Sequence, residues 1–224
     1  IDTEALGIYS IAQMAFSYVI LVPNAMSQLF YVKMGKVYGA SNDVNKLAST
    51  AEEYTKILAA IVSIIVLCAF YFIGPLVGWI MPNYSAGTQA GQILMLGLAI
   101  YAPTMVNSNI LTILKKNAAL LRGSIYLCIL NFVLSFGFVF MFGAKIENVA
   151  LGTSVSYLIR TVILLIQLKR NAGISLMSMF KASILPVLSI LIPGVLLYQI
   201  MDSIYIAFLI SLVIACLVLA LTFK

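Results

Sequence analysis

The stretch Val149-Ala150-Leu151-Gly152-Thr153-Ser154-Val155-Ser156-Tyr157-Leu158-Ile159-Arg160-Thr161-Val162-Ile163-Leu164-Leu165-Ile166-Gln167-Leu168 decides how this chain is read. At about 20 mainly apolar residues it is long enough to cross the hydrocarbon of a bilayer as a helix, and it ends on Lys169-Arg170. One charge, Arg160, lies deep inside it, about 12 Å from that basic pair at the rise of a helix. An arginine near a helix centre costs ~2.5–3.5 kcal/mol on insertion scales, so it requires a snorkelling path, a partner or a water-filled cavity. Thr153, Ser156, Tyr157 and Gln167 cluster on its side of the helix. A lipid-facing arginine reaching for headgroups needs no such neighbours, so the reading favours a cavity-facing Arg160. Gly152 and Ser156 form a small-xxx-small pair suited to close helix packing.

The rest of the chain has the same character. It is 63% hydrophobic and 9% charged, against about 25% charge in soluble domains, which marks an integral membrane protein. The net charge of +6 therefore belongs to loops and does not point to nucleic acid. Cys68, Cys128 and Cys216 fall inside apolar stretches and read as small core residues. Histidine is absent, which removes the commonest general base and metal ligand. The opening Ile-Asp-Thr-Glu has no initiator Met and no basic segment before an apolar run, so the chain reads as lacking a signal peptide and as a piece of something longer.

Seven stretches qualify as spans: about Gly7–Phe30, Tyr54–Ile73, Gly91–Leu114, Leu121–Phe142, Val149–Leu168, Ala182–Gln199 and Ser203–Thr222. The connections alternate in charge. Lys33, Lys36, Lys46 and Lys56 follow the first span, Lys115, Lys116 and Arg122 the third, Lys169, Arg170 and Lys181 the fifth, and Lys224 the seventh. The other side carries Lys145 with Asp2, Glu4, Glu147 and Asp202. The positive-inside rule then puts the beginning of this chain outside and its end in the cytoplasm. Within the long connection Val32 to Glu53, Ser41-Asn42-Asp43 is a helix-start signal, and Val44, Leu47, Ala48 and Ala51 recur at helical spacing. The expectation over 41–53 is a short amphipathic helix on the cytoplasmic surface, acting as a connector.

Polar residues form stripes on several spans. In the first, Gln13, Ser17, Asn24 and Gln28 are separated by 4, 7 and 4 residues, with Tyr31 continuing the face and Pro23 interrupting the helix. Lipid cannot satisfy amides, so this face looks toward protein or water. Packing glue is one reading, at ~0.6 kcal/mol per contact; a cavity wall is the favoured one. In the third span Gln92 and Asn107 share a face with Pro103 while Asn109 lies on another. In the fourth, Ser124, Cys128, Asn131 and Ser135 fit close packing better than ligand contact. Pro186 and Pro193 predict a sixth span that is kinked or in two pieces.

With these residues in view, the chain resembles the C-terminal half of a polysaccharide-unit flippase of the multidrug/oligosaccharidyl-lipid/polysaccharide exporter superfamily. The likeness is carried by Leu6-Gly7-Ile8-Tyr9-Ser10-Ile11-Ala12, by Pro75-Leu76-Val77 through Met81-Pro82-Asn83-Tyr84, by Leu94-Met95-Leu96-Gly97, and by Val149 to Tyr157 closing on Lys169-Arg170. It covers about residues 6–170. The resemblance implies an all-α membrane bundle forming the second of two lobes around an alternately opening cavity. It also implies a missing N-terminal lobe and an undecaprenyl-pyrophosphate-linked oligosaccharide as substrate. The residues expected at the substrate cavity are Arg160, Gln13, Ser17, Asn24, Gln28, Tyr157 and Asn107.

Other functions are weighed against this one. An anionic pyrophosphate in a low-dielectric cavity favours an arginine fork. A multidrug exporter of the same superfamily would want an intramembrane carboxylate for cationic drugs, and the spans offer none. A membrane-embedded glycan enzyme would need a base, a carboxylate pair or a sizeable catalytic loop. Walker, Rossmann, nucleophile-elbow and zinc-site spacings do not occur, so neither catalysis nor a cofactor is expected. A seven-span scaffold or receptor remains as a plainer alternative.

Overall fold

The computed structural model describes residues 3–201 and 203–222. Asp2, Asp202 and Lys224, which contribute to the charge alternation above, lie outside the described residues, as does the side chain of Glu4. The described residues form nine α-helices and a single 3-10 turn, with no strand. The helices are α1 Thr3–Val19, α2 Leu21–Ser41, α3 Val44–Ile80, α4 Thr88–Tyr101, α5 Thr104–Ile113, α6 Asn117–Phe142, α7 Ile146–Ala172, α8 Leu176–Ile200 and α9 Ile204–Thr222. Six helices or kinked helix pairs among them are long and apolar enough to cross a membrane, and α9 is a shorter apolar helix. The all-α polytopic class expected from sequence is the class observed.

Prolines explain why two of the expected spans are each built from two helices. Pro23 has no N–H to offer the Val19 carbonyl, and the helix breaks at Ile20 while the backbone stays right-handed there (φ −68°, ψ −16°). Pro103 does the same to the Ala99 carbonyl, and α4 gives way to α5 at Ala102–Pro103. The first span also runs further than expected, because α2 continues to Ser41. Asn42 then takes a left-handed conformation (φ 49°), and the Asp43 carboxylate caps α3 by accepting from the Asn45 N–H at 2.8 Å.

The short helix expected over 41–53 is not a separate element. Residues 44–53 are the first turns of α3, whose 37 residues rise about 55 Å, well beyond the ~30 Å of a hydrocarbon core. Leu47 and Ala51, the apolar face read as membrane-surface, are fully buried in the bundle. Glu52 ties this extension to the start of α8. It accepts from the Ser178 hydroxyl and pairs with Lys56 at 2.9 Å. The Ser178 bond first, and Lys56 after it, hold the carboxyl below its usual range against a partial desolvation.

The core is centred on α3, with α2, α4 and α8 around it and α9 outside α8. Leu58, Val62, Val66, Leu67, Leu94, Leu98, Ile110 and Leu164 are buried there. α7 packs on α4 on one side and on α6 on the other, and α1 lies on α4. Close approach depends on small residues. A Cβ on Gly97 would meet Ser154, and one on Gly152 would fall 2.4 Å from the Ser135 Cα. α6 buries only Ala119 and Gly123 and packs mainly on α7. Its hairpin to α7 turns through Gly143 (φ 98°), where the Asn148 amide donates to the Gly143 carbonyl.

Candidate functional site

α1, α6 and α7 do not close on one another evenly, and a cleft of about 630 Å³ opens between them. Tyr9 and Gln13 come from α1, Asn131, Phe132, Ser135, Phe136 and Val139 from α6, and Val149, Thr153 and Tyr157 from α7. On each helix these positions recur every three or four residues, so each contributes one face. The Gln13 amide donates to the Tyr9 hydroxyl at 2.8 Å. Tyr157 is fixed by stacking between Phe16 of α1, at 6.0 Å, and Tyr101 of α4, at 4.6 Å. Thr153 donates back to the Val149 carbonyl. The Asn131 amide makes no hydrogen bond among the described residues. The wall is thus uncharged, rich in hydroxyl and amide groups, and interleaved with aromatic rings.

The residues expected at the site separate into four groups. Gln13 and Tyr157 meet in the cleft. Ser17, Asn24 and Gln28 do not line it. They stand exposed along α1 and α2, with the Ser17 hydroxyl donating to the Gln13 carbonyl. The opposite side of α2, with Pro23, Ser27 and Phe30, is buried against the bundle.

Asn107 departs from the expectation. It is fully buried, its Oδ1 accepts from Thr55 at 2.9 Å, and its Nδ2 donates to Ser183 at 3.0 Å. One amide joins α3, α5 and α8, with both of its polar atoms engaged inside the closed bundle and out of a ligand's reach. Gln92 and Asn109 serve similarly, donating to the Phe70 carbonyl and to Ser27.

Arg160 is also displaced from its expected place. It is only 7% exposed and is not among the cleft residues. Its guanidinium lies on Gly123 of α6, where a Cβ would come within 2.8 Å of it. Gly152 faces Ser135, and Gln167 donates to the Ala119 carbonyl. In that antiparallel register the residue level with Arg160 falls near Tyr126, so the side chain leans about one turn toward the Lys115–Lys116 end. Its Nη1 has no hydrogen-bond partner in this arrangement. The sequence reading expects a cavity around Arg160; the space it occupies is made instead by a glycine on another helix.

Tyr9, Asn131 and Ser135 were not anticipated as cleft residues. The stripe Ser124, Cys128, Asn131, Ser135 is legible in the sequence, where it fits close packing better than ligand contact. Ser135 does pack on Gly152 and also lines the cleft, while Ser124 and Cys128 are exposed. No three His, Cys, Asp or Glu side chains converge among the described residues in a way that would hold a metal ion.

No protein-family model and no curated protein matches the chain. Among solved structures it is similar to the lipid II flippase MurJ in an inward closed conformation, with a TM-score of 0.64 and 20% sequence identity over 95% of this chain. The match takes up 45% of that transporter, so the chain spans less than half its length. What the likeness establishes is the fold: the multi-pass helical arrangement of about half of a membrane flippase.

Proposed function

We propose that this chain is one lobe of an alternating-access transporter that flips an undecaprenyl-pyrophosphate-linked oligosaccharide unit across the membrane, working against a second lobe. The observation that carries the reading is the α1–α6–α7 cleft. Tyr9, Gln13, Asn131, Thr153 and Tyr157 offer neutral hydrogen-bonding groups, and Phe132 and Phe136 offer flat apolar faces. That mixture suits a sugar, which presents hydroxyls at its rim and C–H groups on its faces. Ser17, Asn24 and Gln28, exposed on the same helix pair, extend the polar surface toward the partner lobe.

The cleft wall is uncharged, so the pyrophosphate needs its cation from elsewhere. Arg160 follows Tyr157 by one turn of α7, and its unpartnered Nη1 is suited to an anion once α6 moves off α7. The basic connections, including Lys115, Lys116, Lys169 and Arg170, face the cytoplasm in this reading, with the 143–145 turn outside. The aromatic lining of the cleft also fits a lipophilic cation, which is the basis of the multidrug alternative.

The test is complementation by the full-length protein in a strain lacking it. Gln13→Leu combined with Asn131→Leu, and separately Arg160→Gln, should lower surface polysaccharide about tenfold or more at normal protein levels, equivalent to about 1.4 kcal/mol. Normal polymer at normal protein levels rejects the assignment. Raised drug susceptibility with intact polymer selects the multidrug reading.

A further inference from the structure

A second, smaller cleft of about 220 Å³ lies between α6 and α7 near their basic ends, lined by Arg122, Tyr126, Ile163, Ile166, Gln167, Arg170 and Asn171. It shares no lining residue with the α1–α6–α7 cleft. Arg122 uses its Nε on the Ala118 carbonyl at 3.2 Å, and its two Nη groups bond to nothing among the described residues. No carboxylate lines the cleft, and the one ion pair among the described residues is Lys56–Glu52, on α3. Both arginines therefore border the same small space with no carboxylate there to compensate them.

The floor adds a second kind of signal. Gln167 donates its Nε2 to the Ala119 carbonyl at 3.0 Å, yet its Oε1 is buried without any donor. A buried amide oxygen left unmatched is costly and calls for a partner. The Asn171 amide is turned inward to the Gln167 carbonyl and does not supply one. The apolar side of the cleft, Ile163 and Ile166, continues onto exposed Val162 and Ile129 of the same two helices.

We infer that this cleft seats the headgroup of a glycerophospholipid that carries both a phosphodiester and a hydrogen-bond donor. Arg122 and Arg170 take the phosphate oxygens, the unmatched Gln167 Oε1 accepts from a headgroup hydroxyl or amine once the side chain turns out into the cleft, and the acyl chains run along Ile163 and Ile166. Soluble phosphate satisfies the first of these contacts but neither of the others. The site is independent of what the transporter carries.

The experiment uses the purified full-length protein in detergent, titrated with phosphatidylglycerol, phosphatidylcholine or inorganic phosphate while its thermal midpoint is followed. Phosphatidylglycerol should raise the midpoint at lower concentration than phosphatidylcholine. Arg122→Gln with Arg170→Gln should shift that titration about tenfold, and Arg122→Lys with Arg170→Lys should shift it less. Equal titrations for wild type and the double Gln variant overturn the proposal. So does equal stabilisation by inorganic phosphate, which would make this a soluble-anion site. Because both arginines are exposed, these substitutions leave folding intact, and a lowered midpoint without lipid would be corrected by comparing the double Lys variant.

Discussion

Two polar regions of this lobe are built from the same residue types and end in opposite states. Around α3, α5 and α8 the network is closed. Thr55, Asn107 and Ser183 bond to one another in sequence, and further along α3 the Tyr71 hydroxyl donates to the Gly194 carbonyl at 2.7 Å with Ser211 3.0 Å away. Along α6 and α7 the network is open. The Arg160 Nη1 and the Gln167 Oε1 are buried without partners, and the half-buried Asn131 amide lies on the cleft wall. In a bilayer a closed triad fastens helices together and an open row is a cost unless something else completes it. In the proposed reading the contrast separates the part of the fold that holds its shape from the part that meets other molecules.

The sharpest way to break the contrast is steric. Gly152→Leu places a side chain where even a Cβ would sit 2.4 Å from the Ser135 Cα, and it should cost about 3 kcal/mol by prising α6 from α7. A large fall in the thermal midpoint, with loss of both clefts to thiol labelling at neighbouring cysteine substitutions, is the expected result. Next comes the closed triad. Asn107→Leu strands Thr55 and Ser183 in the core and should lower stability by about 2 kcal/mol, read from the same midpoint.

Asn131→Leu removes the same chemical group from the open row. It should change stability by less than about 0.5 kcal/mol while reducing polymer output in the complementation assay. Equal stability losses for Asn107→Leu and Asn131→Leu would erase the distinction between the two regions. The smallest effect belongs to Glu52. Its carboxyl is held below the ordinary value near 4.5, so the stability it adds is present above that value and is lost as pH falls through the lowered one. The gap between wild type and Glu52→Gln, measured across a pH series, should therefore be present at neutral pH and close on acidification.

Composition and period were enough to read the class and most of the spans, because a bilayer imposes length and apolarity on every crossing helix. The breaks at Pro23 and Pro103 follow from a missing N–H, a local property. The fate of individual amides was not local. Gln13 and Asn107 look alike in their own helices, but Asn107 meets a threonine 52 positions away and a serine 76 positions away, while Gln13 reaches only Tyr9 one turn back. Asn131 was passed over because its stripe is shared with small residues that do pack. The spacing from Val44 fits an apolar face on a membrane surface and an apolar face covered by protein equally well, and Leu47 is covered by protein.

The bed that Gly123 makes for the Arg160 guanidinium reaches beyond this one molecule. Any larger residue at 123 would have to evict the arginine's tip, and any shorter residue at 160 would leave a void against the bare backbone of α6. Related sequences should thus change these two positions in concert, glycine opposite arginine and bulk opposite a small partner. A covariation between 123 and 160 would be a trace of this contact readable without any coordinates.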